Sequence, residues 1–202
     1  DYEVGLPRMW AGREELFRLT EKDVGPDAVR IKKEWGMRLD RSKPVLLEKS
    51  PPNTPRTRWL QREFTPAYFV AIVRNGYAVA EGITRKADPK HLRDSWPIEQ
   101  SAYQWRRSYE VLEQDAPFLQ HLLWVRYEDL AKDPKRELDR IAAFVGLPPF
   151  ANFDATSSLA VHERNEMLRD LNLESIKRLT RDQISRITDV AGDTLDRYGY
   201  PR

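Results

Sequence analysis

A chain of 202 residues with 40% apolar and 33% charged side chains is long enough to bury a real core, and its composition excludes a disordered segment. A net charge of +2 excludes a general nucleic-acid binder, which needs a strong basic excess, but leaves room for a local basic pocket. The absence of cysteine excludes a disulfide scaffold, a cysteine nucleophile and a cysteine-based zinc site, and the three histidines, His91, His121 and His162, stand at no metal-ligand spacing, so no metal is expected.

Residues 1–10 read as a loop. Residues 12–19 fit a short helix with Leu16, Phe17 and Leu19 on its buried side, and residues 27–39 a longer one with Ile31, Trp35 and Leu39 at i, i+4, i+8 spacing. Residues 45–47 (Val-Leu-Leu) form a short apolar run that predicts a strand buried on both faces. It leads into Glu48-Lys49-Ser50-Pro51-Pro52-Asn53. Thr54 and Pro55 then predict a helix start, with threonine as cap and proline at the first helical position.

Residues 68–73 (YFVAIV) are aromatic and β-branched, the strongest strand signal in the chain. Arg74-Asn75-Gly76 turns into a helix carrying Val79, Ala80 and Ile83, followed by a charged surface loop over 85–95. Pro97 opens a long helix with Ile98, Ala102, Trp105, Tyr109 and Leu112 on one stripe. Residues 122–127 (LLWVRY) predict a third strand. Asp133-Pro134 opens a helix that Gly146 ends, residues 147–170 read mostly as loop, and the last helix starts at Thr180 with Gln183 completing a capping box.

Strands alternating with helices predict a single α/β domain over residues 1–202, built on a parallel sheet with helices on both faces. Three strands are few for a doubly wound fold. Because the chain opens on Asp1, the expectation is that a first βα unit precedes it. No apolar run approaches the ~18 residues of a membrane span, no secretory signal opens the chain, and a cytoplasmic location is expected.

Two of the strand ends carry cations. Lys49 could neutralise a phosphate or a transferring sulfuryl oxygen, or it could be a surface lysine paired with Glu48. Arg74 suits bidentate phosphate binding just before a helix N-terminus, or it could close a salt bridge across the sheet edge. In an open α/β sheet that edge is where ligands sit.

Three segments in order carry a resemblance. EKSPPN (48–53) is similar to the EKTP/EKSP strand end of carbohydrate-type and bacterial PAPS-dependent sulfotransferases, where PAPS is 3′-phosphoadenylyl sulfate. FVAIVRNGYAVAEG (69–82) resembles that family's strand-arginine-helix element. WVRYEDLAKDPKRELDRIAAFVGL (124–147) resembles its RYEDL…DP…FLGL segment, and the terminal helix ends in a similar GYP. The resemblance implies a P-loop-NTPase-like fold and metal-free, in-line sulfuryl transfer to a hydroxyl or amine of a small-molecule or carbohydrate acceptor. It also implies that Arg74 holds the 3′-phosphate, that Lys49 lies near the sulfuryl group or acceptor, and that Tyr127 lies by the adenine, where a core aromatic at a strand end is the other reading.

The chain departs from the family pattern in several places. The family's second phosphate ligand, a serine, is replaced by Gly82, with Thr84 nearby. The glycine-rich phosphosulfate loop has no counterpart in GLPRMWAGRE (5–14) and is expected upstream of Asp1. In place of the basic RKGxxG segment stands VHERNEMLRDLN (161–172), where His162, Arg164 and Asn165 could serve the nucleotide or belong to a solvated loop. The base is expected at Glu3, since Glu48 should point away from Lys49 on a strand and His91 and His121 lie outside the motifs. A kinase or NTPase fragment and a non-catalytic nucleotide-binding module are the alternatives. The sequence indicates neither an oligomeric state nor the acceptor. Trp10, Trp35, Trp96 and Trp105 could line a sugar or aryl pocket or fill the core.

Overall fold

The structure, a computed structural model, describes residues 9–86, 96–151, 159–161, 164–166 and 168–202. The chain divides into two compact units, Asp1–Phe69 with Ser108–Leu122, and Val70–Arg107 with Leu123–Arg202.

In the first unit, Asp27 caps α1 (Ala28–Gly36) by accepting from the Arg30 N–H at 3.0 Å. Trp59, buried on α2 (Thr57–Glu63), meets Phe64 edge-on, and Trp35 of α1 stacks on the same ring at 5.0 Å. The chain passes so close to Trp59 at Gly25 that a Cβ there would lie 2.3 Å from the indole Nε1, so only glycine fits. Asp115, with no exposed surface, accepts from both Arg18 terminal nitrogens and from the Thr57 hydroxyl, so its charge is buried with partners.

Several expectations in this unit are corrected. Residues 45–47 form no strand: they lie in an irregular stretch with Leu46 and Leu47 49% and 80% exposed. A three-residue apolar run becomes a strand only beside a neighbour that takes up its N–H and C=O groups, and no described strand pairs with it. Lys49 therefore follows no strand, and the alternation argument that sets Glu48 against it lapses; Glu48 instead accepts from the Asn53 amide. The Pro-Pro segment winds as a 3-10 helix (Pro51–Arg56) before α2. Thr54 is not a cap, because its hydroxyl donates back to the Pro51 carbonyl at 3.0 Å. The first helix shrinks to one 3-10 turn (Glu14–Leu16) with Leu16 exposed.

β1 (Phe69–Val73) and β2 (Leu122–Arg126) form a two-stranded parallel sheet flanked by helices, an α/β arrangement. The long helix is α4 (Ile98–Asp115). All five residues of the α4 stripe, Ile98, Ala102, Trp105, Tyr109 and Leu112, are buried as the periodicity predicts.

In the second unit α3 (Gly76–Lys86) starts immediately after β1. A Cβ on Gly76 would lie 2.9 Å from Leu195 Cδ2 and 3.0 Å from the Trp105 ring, so glycine lets this turn enter the core. α6 (Pro134–Phe144) is capped by Asp133, and α8 (Arg181–Arg197) has the predicted Thr180–Gln183 box, with Ile187, Ala191 and Leu195 buried. Gly199, at φ +72°, ends α8, and the Tyr200 N–H returns to the Leu195 carbonyl at 2.9 Å. Two short helices are unanticipated, α5 (Tyr127–Lys132) and α7 (Asn172–Ile176), as is the antiparallel pair β3 (Leu159–Val161) and β4 (Arg164–Glu166). Elements of three to six residues are too short to display a period.

Candidate functional site

The second unit builds a site where β1 and β2 end. Parallel neighbours bring their carboxyl ends together, so Arg74-Asn75 after β1 meets Tyr127-Glu128 after β2. The Asn75 N–H donates to Glu128 Oε1 at 3.2 Å.

Arg74 is held from three sides. Its Nε donates to Asn172 Oδ1 at 2.8 Å, its guanidinium carbon lies 4.3 Å from the centre of the Tyr127 ring, and its backbone carbonyl accepts from Trp105 Nε1 at 3.0 Å. The partners are themselves fixed. Asn172, which is buried, donates its Nδ2 to Glu128 Oε1 at 2.6 Å, and Tyr200 donates its hydroxyl to Glu128 Oε2 at 3.0 Å. The Tyr127 hydroxyl donates to the Arg169 carbonyl at 2.7 Å and accepts from the Leu171 N–H at 3.2 Å. This arrangement can present a planar, oriented guanidinium to an anion. The salt bridge expected as the other reading of Arg74 is not what holds its Nε, since the acceptor there is a neutral amide.

The helix N-terminus beside Arg74 differs from expectation. Asn75 caps α3, its Oδ1 accepting from the Tyr77 N–H at 3.0 Å and the Ala78 N–H at 3.4 Å. These two first-turn donors are satisfied within the chain.

Farther along α3, Gly82 leaves open space, with no heavy atom within 4 Å of where its Cβ would stand. The Thr84 hydroxyl is engaged with the Ser101 hydroxyl at 2.8 Å. Next to Gly82, the buried Glu81 carboxylate takes Nε of Arg178 and Nε of Arg85, each at 2.7 Å. Burial pushes this carboxyl up, but the guanidinium hydrogen bonds of Arg178 and Arg85 outweigh it and hold the group below the usual carboxylate range. A depressed folded value means that the stabilisation is present above the unfolded pKa of ~4.3 and is lost as pH falls through the lowered folded value. The Tm of the wild type should therefore fall more steeply than that of Glu81→Gln between about pH 5 and pH 3. Parallel curves would show that the ion pairs contribute nothing to stability.

The other predicted residues that the structure describes lie each within its own unit. Lys49 is exposed in the first unit, and among the described residues it has no ion-pair or hydrogen-bond partner, Glu48 included. His121 stacks on Tyr68 at 4.3 Å and is half-buried. Trp10 and Trp105 are core residues. Arg164 lies in β4, opposite Val161. Its side chain, together with Glu3, His91 and His162, lies outside the described residues. The sequence reading did not single out Asn172, Glu128 or Tyr200. Each stands in a quoted segment (161–172, 124–147 and the GYP ending), but only the meeting of strand ends shows that they converge.

The model of the sulfotransferase family matches residues 9–152, well over half of the chain. The chain belongs to the sulfotransferase family. Among solved structures, it is similar to the sulfotransferase domain from the curacin biosynthetic pathway (TM-score 0.57, 21% identity, 85% of this chain and 69% of that one). It is also similar to the sulfotransferase domain from the Synechococcus PCC 7002 olefin synthase (TM-score 0.50, 22% identity, 73% of this chain and 58% of that one). These likenesses show the fold, in agreement with the α/β, P-loop-like expectation. No curated protein matches significantly. Membership of the sulfotransferase family supports sulfuryl transfer as the class of reaction. Among the described residues there is no cluster of metal ligands and no helix long and apolar enough to cross a membrane.

Proposed function

We propose that this sulfotransferase-family chain uses PAPS, and that Arg74 binds the 3′-phosphate that distinguishes this donor. The observation that carries the reading is the triple hold on Arg74 at the carboxyl edge of the sheet. A planar guanidinium fork fixed in direction by an amide, an aromatic face and a main-chain anchor suits two oxygens of a doubly charged phosphate monoester. When bound, PAPS supplies the sulfuryl group that passes to the acceptor, a hydroxyl or amine of a small molecule or carbohydrate. Arg74 orients the nucleotide end, and Tyr127 supports Arg74 from below while lying where the resemblance puts the adenine. Open space at Gly82 suits close approach of a ligand to the α3 backbone, in place of the hydroxyl that a serine would offer. By resemblance, Lys49 neutralises charge at the sulfuryl end, Glu3 takes the acceptor proton and Arg164 serves the nucleotide.

Thermal unfolding with adenosine 3′,5′-bisphosphate, run beside ATP-Mg, tests this reading. At a ligand concentration of a hundred times Kd, the bisphosphate should raise Tm by about 5–10 °C. A shift with ATP-Mg and none with the bisphosphate would overturn the proposal in favour of an NTPase-like site. Stabilisation by the bisphosphate without sulfuryl transfer from PAPS would mark the chain as a nucleotide-binding module only.

A further inference from the structure

We infer that Asn172 is a positioning residue: its buried side-chain amide links the half-buried Glu128 carboxylate to Arg74 and sets the direction in which the guanidinium points. The inference rests on the reading of Arg74 as the 3′-phosphate ligand and adds the device that orients it.

An asparagine amide has one acceptor end and one donor end, and here both are committed. Nδ2 donates to Glu128 Oε1 at 2.6 Å and Oδ1 accepts from Arg74 Nε at 2.8 Å. Flipping the amide would set N–H groups against the guanidinium and an oxygen against the carboxylate, so only one orientation is stable. Glu128 is held in turn by the Asn75 N–H and the Tyr200 hydroxyl, and the Asn172 backbone N–H is tied to Asp170 Oδ1 at 2.8 Å. Arg74 is thus connected to three elements by one neutral side chain. A carboxylate at position 172 would instead bring two negative groups together at Glu128. The neutral amide fixes the direction of Nε without adding a negative charge of its own, as an oriented donor toward an anion requires.

The test is a double-mutant cycle on the full chain, using Asn172→Leu, Arg74→Ala and the pair. Each variant is titrated calorimetrically with adenosine 3′,5′-bisphosphate and with adenosine 5′-monophosphate, which lacks the 3′-phosphate. Asn172→Leu should weaken bisphosphate binding about tenfold, leave monophosphate binding unchanged, and add nothing further in the Arg74→Ala background. A purely structural role would weaken both ligands alike and would add to the Arg74 effect, and either result overturns the inference. Full bisphosphate affinity in Asn172→Leu beside a large loss in Arg74→Ala would also overturn it, while leaving the function of Arg74 intact. Failure of the wild type to bind the bisphosphate would remove the underlying reading, and the inference with it. Should Asn172→Leu not fold, Asn172→Ser and the arginine Nε–H resonance of Arg74 provide the second measurement. That proton should be protected from exchange in the wild type and unprotected in Asn172→Ser, and equal protection in both would sink the proposal.

Discussion

Arg74→Ala is expected to weaken binding of adenosine 3′,5′-bisphosphate by about a hundredfold, with adenosine 5′-monophosphate affected only slightly. Two charge-assisted bonds from a guanidinium fork to a phosphate are together worth about 2.7 kcal/mol, which is that factor. The substitution also removes the donor to Asn172 Oδ1 and the cation over Tyr127, so a smaller loss of stability accompanies it. Arg74→Lys separates charge from geometry. Lysine keeps the positive charge but cannot form the fork or lie flat on the Tyr127 ring, so its affinity should fall between wild type and alanine. Equal losses for both nucleotides would show that Arg74 does not address the 3′-phosphate. Unchanged binding in Arg74→Ala would withdraw it from the site altogether.

How much of this site is legible in the sequence depends on the kind of contact involved. Arg74 can be placed at a strand end from local pattern, but that pattern leaves phosphate binding and a sheet-edge salt bridge both open, and only the family resemblance points to the 3′-phosphate. The α4 stripe and the Thr180 capping box are equally local, and both hold in the structure. Residues 45–47 mislead for a physical reason: an apolar run specifies burial only if a neighbouring strand completes its hydrogen bonds, and that neighbour is not visible in the run itself. Asn172 escapes for the complementary reason. Nothing within VHERNEMLRDLN distinguishes a solvated asparagine from one whose two ends are committed to Glu128 and Arg74, residues 44 and 98 positions away. Asn75 shows that even a correct local reading can leave out a role. A strand-to-helix turn before Gly76 is readable, but the Asn75 side chain that takes up the Tyr77 and Ala78 N–H groups is not.

The coupling of site to core makes Trp105→Ala the most damaging core substitution we expect. Trp105 is 3% exposed, its ring is what a Cβ at Gly76 would strike, and its Nε1 holds the Arg74 carbonyl at 3.0 Å. Truncation to alanine empties a large volume between α3 and α4, and a buried tryptophan replaced by alanine costs about 3–5 kcal/mol. For a chain of this size that corresponds to a Tm lower by about 6–20 °C. Trp105→Phe divides the cost. It retains most of the ring packing and removes the N–H, leaving the Arg74 carbonyl without that donor, at about 1–2 kcal/mol. If the indole bond anchors the main chain of Arg74, the phenylalanine variant should also bind the bisphosphate several-fold more weakly in conditions where it is completely folded, because the fork is then aimed from a looser base. Urea unfolding gives the stability of each variant and calorimetry the affinity. A Trp105→Ala cost below about 1 kcal/mol would contradict the packing described for α3 and α4. A phenylalanine variant with lowered stability and intact affinity would confine Trp105 to the core and leave the orientation of Arg74 to Asn172 and Tyr127.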